Sequence, residues 1–148
     1  MVAVTTSVRC PQAGELDAVR ALLERCGLSA ADLDAVPLAD IIVAIDGGQI
    51  VGTAALQRFG DAGLLRSVAV EADRRGQGTA ASLVDSVEAH ARTLRLRELW
   101  LLTTSAQGYF AQRGYRAAAR ADAPPAVQTS SQFALLCPAS AACMVKAL

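Results

Sequence analysis

The sequence predicts a mixed α/β domain, an antiparallel meander followed by a β-α-β crossover. Three observations carry that expectation. Short apolar runs alternate with segments of helical periodicity. A tight-turn tripeptide, DGG (46–48), separates two of the runs. A glycine-rich stretch, RRGQGTAASL (74–83), leads from a third run into an amphipathic segment. With 148 residues, 53% of them apolar and 19% charged, the chain is long enough for one domain (1–148) with a real core and too apolar for disorder.

A first strand is expected over 5–10, ended by Pro11. ELDAVRALLERCG (15–27) places Leu16, Val19, Leu22 and Leu23 on one helical face, with Gly27 as its stop. SAADL (29–33) reads as the start of a short second helix capped by Ser29. DIIVAI (40–45) and QIVGTAALQRF (49–59) form the arms of a hairpin around DGG. Gly60, Asp61 and Gly63 make another turn before LLRSVAV (64–70). Ala80, Leu83, Val84, Val87, Ala91 and Leu94 then recur at helical spacing, predicting a helix over about 77–94. ELWLLTT (98–104) is a buried strand, and the connection to it is expected to be right-handed and parallel. SAQGYFAQRG (105–114) is a short helix with Ser105 as cap and Gly114 as stop, and YRAAA begins a strand. A helix starting near Pro125 and a final strand, ACMVKAL, complete the chain.

Composition excludes several classes of function. Net charge is zero, and Lys146 is the sole lysine, so no basic surface for nucleic acid is legible. Runs such as IIVAI are too short to cross a membrane, and MVAVTTSVRCPQ lacks the pattern of a signal peptide. The expected location is the cytoplasm. Cys10, Cys26, Cys137 and Cys143 lack zinc-site spacing and His90 is the only histidine, so no metal is expected. The cysteines read as small buried apolar residues with reduced thiols, although Cys137 and Cys143 are close enough in sequence to meet across a bend and, with Cys10 or Cys26, trap trivalent arsenic.

The glycine-rich stretch is a phosphate-binding signal. Gly76-Gln-Gly78-Thr-Ala-Ala81 satisfies the dinucleotide pattern GxGxxG/A, but EADRR separates Val70 from Gly76, and ELWLLTT ends in threonines without a carboxylate for a ribose. No lysine follows the last glycine, which excludes a P-loop. Framed from Arg75, the stretch is R-x-x-G-x-A, through Gly76, Gln77, Gly78, Thr79 and Ala80. Backbone N–H groups of such a loop, with the positive end of the following helix, suit a pyrophosphate.

This motif resembles the coenzyme A signature of the GNAT acetyltransferase superfamily, Q/R-x-x-G-x-G/A. LLRSVAV looks like the family's fourth strand and YFAQRGY (109–115) like its helix-then-strand segment. The resemblance implies acetyl-CoA as co-substrate, held by Val68, Ala69 and Val70 and by residues 75–80. By the same match Val68 and Val70 bond the pantetheine, the Val70 N–H polarises the thioester carbonyl, and Thr103 and Thr104 contact the cofactor amides. One departure stands out: where many members carry a tyrosine as acid for the thiolate, this chain has Phe110. Tyr109 lies about 100° round the helix. Protonation by Tyr109, by water, or by no protein group all remain open, as does a packing or substrate role for Tyr109. Glu71 and Asp61 are candidate bases or water-orienters, although a solvated surface role suits each better.

Arg66 shares a strand face with Val68, which suggests either a grip on a carboxylate or a solvent-facing arginine. RADAPPAV and FALLCPASAACMVKAL resemble the short arsenic-resistance N-acetyltransferases, whose relatives acetylate glutamate-like toxins such as arsinothricin and phosphinothricin. That resemblance implies a small-molecule amine acceptor, with residues 121–138 shaping specificity. Glutamate or another metabolite as acceptor, and a non-catalytic acyl-CoA-binding regulator, are the alternatives. A homodimer is common in the family.

Overall fold

A computed structural model describes residues 6–137 and 139–148. The elements are β1 (Ser7–Arg9), α1 (Leu16–Arg25), β2 (Ile41–Asp46), β3 (Gln49–Phe59), β4 (Ala62–Val70), α2 (Thr79–Thr93), β5 (Glu98–Thr103), α3 (Gln107–Gln112), β6 (Arg116–Ala117), α4 (Pro125–Gln128) and β7 (Ala142–Ala147). The strands form a seven-stranded mixed sheet in the order β1-β2-β3-β4-β5-β7-β6. The predicted mixed α/β architecture is therefore present, with β1 described from Ser7; Thr5, in the expected first strand, lies outside the described residues.

Two compact units divide the chain: Met1–Leu56 with Ser67–His90, and Gln57–Arg66 with Ala91–Leu148. In the first, β2 pairs antiparallel with β1 and with β3, around a turn in which Gly47 and Gly48 have φ of +58° and +79°. Positive φ at both central residues is the backbone of a tight hairpin turn, which DGG supplies without side-chain penalty. The apolar face of α1 buries Val19, Leu22 and Leu23 against Leu33, Val36, Ile41, Val43, Ala55 and Ala69, with Leu16 at the margin. Arg9 and the N–H of Gln12 both bond the Glu15 carboxylate at the start of α1 and hold its pKa down to about 2. Gly27, with φ of +75°, ends this segment.

On β3, period-two alternation turns Ala55 toward α1 and Gly52 toward the opposite face. A Cβ at Gly52 would lie 2.9 Å from Leu83 Cδ1, 3.3 Å from the Ala69 carbonyl oxygen and 3.3 Å from Thr79 Cγ2. The missing side chain thus lets the first turns of α2 approach β3 and the end of β4.

In the second unit, β5 is parallel to β4 over Ala62–Leu64 against Glu98–Trp100, and antiparallel to β7 along its whole length. β6 pairs antiparallel with β7. Its core gathers Ala62, Leu64, Trp100, Ala123, Val127, Phe133, Cys143 and Val145.

Four local expectations are corrected. Residues 29–33 form no α-helix: the Ser29 hydroxyl accepts from Ala31 N–H at 3.3 Å, and a 3-10 turn follows at Leu33–Ala35. Ala62 and Gly63 belong to β4 rather than to the preceding turn, because both pair with β5. α2 begins at Thr79, not 77, because Gly76 and Gly78 have φ of +78° and +83°. Ser105 does not cap α3; the Thr103 hydroxyl accepts from the N–H groups of Ser105 and Ala106, at 3.4 and 3.0 Å.

Gly52→Val is expected to destabilise the protein by about 1–3 kcal/mol, since the Ala69 carbonyl is backbone and cannot swing aside. Thermal unfolding should show a fall of about 2–4 °C for each kcal/mol, with Gly52→Ala the milder change.

Candidate functional site

Part of the candidate site is built in the first unit, from the end of β4 and the loop between it and α2. Ser67 has φ of +57°, a left-handed conformation that costs a non-glycine residue about 1–2 kcal/mol. A left-handed residue inside a strand interrupts the regular ladder and re-aims the next residues of the chain. Of these, Val68 is half-buried, and Ala69 and Val70 are buried.

Several distant pieces of chain hold this strand end. The N–H of Glu71 donates to the Val51 carbonyl at 2.8 Å. From the last turn of α1, Arg25 reaches Oε1 of Glu71 with Nε and Nη2, both at 3.0 Å. The Cys26 thiol lies 3.6 Å from the Val70 carbonyl oxygen. Arg75 Nε donates to that same oxygen at 3.1 Å, and its Nη2 stands 3.8 Å from Cys26 Sγ. Arg74 is ion-paired with Asp46 at the end of β2.

Arg75, Gly76, Gln77 and Gly78 are exposed. A Cβ at Gly76 or Gly78 would meet nothing within 4 Å, so φ rather than crowding requires glycine there. The Gly78 carbonyl accepts from Ser82 N–H at 3.1 Å, the first helical bond of α2. The loop is open and feeds a 15-residue helix, whose N-terminal end is the positive end of its dipole and favours an anion. The Thr79 side chain is buried, leaving its backbone as the part able to meet a ligand, and Ala80 is half-buried.

The remaining candidates lie in the second unit. Arg66 is only 4% exposed, which removes the solvent-facing reading, and its Nη1 donates to Gln57 Oε1 at 3.2 Å. Thr103 spends its hydroxyl on the start of α3, whereas Thr104 is exposed. Tyr109 packs edge-on to Phe110 with ring centroids 5.2 Å apart, under an Arg113 guanidinium 5.8 Å away. Phe110 is buried and meets Tyr115 edge-on at 5.5 Å. Asp61 pairs with Arg97 at 3.5 Å in solvent. Cys143 sits in the core, where burial pushes its thiol pKa up, while Cys10 is exposed and Cys26 and Cys137 are half-buried, so the cysteines are not uniformly buried. Among the described residues no group of three or more His, Cys, Asp or Glu can hold a metal, and no helix is long and apolar enough to cross a membrane.

Sequence reasoning did not single out Gly52, Gln57 or Ser67, and it read Cys26 only as a buried thiol or a candidate arsenic ligand. An isolated glycine in a strand pattern is a signal of close backbone approach and could have flagged Gly52. Nothing local distinguishes the others.

A family model of the acetyltransferase (GNAT) domain matches residues 37–117, more than half of the chain, and the chain belongs to that family. An amino-acid acetyltransferase of Azotobacter vinelandii is 39% identical over 71 residues, 47% of this chain and 16% of the relative. N-acetylglutamate synthase from Neisseria gonorrhoeae, complexed with coenzyme A and N-acetyl-glutamate, aligns with a TM-score of 0.83 at 22% identity, over 99% of this chain and 36% of that one. Rv2747 from Mycobacterium tuberculosis, in complex with CoA, aligns at 0.81 and 21% identity over 96% of this chain and 99% of that one. The structural likenesses establish the fold. The chain spans about a sixth of the length of the curated relative and about a third of the synthase.

The left-handed backbone at Ser67 generates an ordered expectation. Ser67→Gly should be tolerated, whereas Ser67→Val, whose branched Cβ crowds a positive φ, should lower the melting temperature by several degrees. Equal melting temperatures for the two variants would contradict the strained geometry.

Proposed function

We propose that this protein is an acetyl-CoA-dependent N-acetyltransferase acting on the amino group of a small amino-acid acceptor. The observation that carries the reading is the open loop with left-handed Gly76 and Gly78, set between the end of β4 and the N-terminus of α2. Family membership and the CoA complexes of structural relatives support it.

In this reading residues 75–80 hold the pyrophosphate through backbone N–H groups, and Val68–Val70 bind the pantetheine arm. The Val70 N–H donates to the thioester carbonyl as charge grows there, an oriented donor of the kind that contributes most to acyl transfer. Holding the thioester and amine together supplies the rest. An α-amino group, with a reference pKa of about 8, is partly neutral at pH 7, so a strong base is not essential. Glu71 already grips Arg25, and a base role would require breaking that pair.

The acceptor carries a carboxylate. Arg66, buried and oriented by the neutral Gln57, is suited to a bidentate grip on it. Glutamate and glutamate analogues such as phosphinothricin and arsinothricin are the acceptors to test. The names of the amino-acid acetyltransferase and N-acetylglutamate synthase relatives support an amino-acid acceptor, and the resemblance of the C-terminal stretch supports the analogues.

Free-thiol release from acetyl-CoA, with these three acceptors offered separately, tests the reading. Turnover with the toxins alone makes this a detoxifying enzyme, and turnover mainly with glutamate places it in metabolism. No turnover despite acetyl-CoA binding favours an acyl-CoA-binding regulator. Arg66→Ala should raise the acceptor KM about ten- to a hundredfold, the worth of a charge-assisted contact, with acetyl-CoA affinity preserved. Gly78→Glu, placing a carboxylate in the anion loop at a positive φ, should weaken acetyl-CoA binding at least about tenfold by calorimetry.

A further inference from the structure

We infer that Arg75 is a positioning residue, acting through the hydrogen bond it gives to the Val70 carbonyl rather than through its charge on the phosphates. The inference rests on the reading that the end of β4 holds the thioester.

Both polar ends of the peptide joining Val70 to Glu71 are tied. Its oxygen accepts from Arg75 Nε at 3.1 Å, with the Cys26 thiol 3.6 Å away, and its N–H donates to Val51 O at 2.8 Å. With this peptide plane fixed, the direction of the Val70 N–H depends on the dihedrals of one residue. The guanidinium is turned toward the strand end by a second contact, Nη2 to Cys26 Sγ at 3.8 Å. The Arg25–Glu71 pair closes the cluster from α1. A phosphate contact would reward the arginine's charge, whereas a carbonyl rewards a donor at one position. That position can be copied. Glutamine carries its amide nitrogen the same number of bonds from the backbone as arginine carries Nε, with no charge. Lysine keeps the charge but has a methylene at that position.

The test compares Arg75→Gln, Arg75→Lys and Arg75→Met in the full chain, reading kcat, acetyl-CoA Kd and the salt dependence of that Kd. If Arg75 positions the strand, kcat falls least in R75Q, and by about tenfold or more in R75K and R75M, the loss of one charge-assisted hydrogen bond. The acetyl-CoA Kd and its salt dependence then change little across the series. A higher kcat in R75K than in R75Q, with weaker and less salt-dependent acetyl-CoA binding in R75Q, would overturn the inference and return Arg75 to the phosphates. Should R75M fail to fold, the Gln and Lys variants still decide. Amide hydrogen exchange of the unmodified protein with and without coenzyme A separates the two levels. Absence of protection over 68–80 removes the site reading and the inference with it. Protection there, with the variant order reversed, removes the inference alone.

Discussion

The carbonyl of Val70 is the point on which the arrangement of the first unit depends. β4 turns left-handed at Ser67 and runs on to Val70, beside β3. At its end the Arg75 guanidinium from the loop and the Cys26 thiol from the end of α1 converge on one oxygen, and β3 secures the neighbouring N–H. A left-handed serine costs about as much as one or two hydrogen bonds contribute, so these contacts offset strain that would otherwise favour a straight strand.

The glycine-rich loop depends on two different uses of glycine. At Gly76 and Gly78 the backbone needs a positive φ and the surroundings are open. At Gly52 the need is space, because the first turn of α2 and the Ala69 carbonyl crowd the position. One device shapes the loop, and the other brings α2 close to the end of β4. The Arg74–Asp46 pair adds a tie from the loop to β2. Charge next to the loop is therefore partly committed to structure.

Within the second unit the chemistry is that of a buried cation and an aromatic cluster. Burying a guanidinium is unfavourable unless its donors are used, and Gln57 supplies one acceptor for it. Phe110 fills its buried position edge-on between Tyr109 and Tyr115, so packing alone explains a residue without a hydroxyl. An acyl-transfer reaction in which the thiolate leaves without a tyrosine at that position is compatible with this packing.

The order of elements, the DGG hairpin, the apolar face of α1 and the glycine-rich loop before α2 were legible because each is set by forces acting within a few residues: side-chain periodicity, turn dihedrals and helix starts. GNAT membership was legible for the same reason, since its motif is a run of local backbone requirements. The sequence could not tell a buried Arg66 from an exposed one, because that depends on how neighbouring segments are placed. The contacts at the end of β4 join residues 44, 46 and 49 apart in sequence. Only the packing of α1 against the sheet brings those partners together, and that packing, not any local preference, decided that the Arg75 guanidinium also meets Cys26.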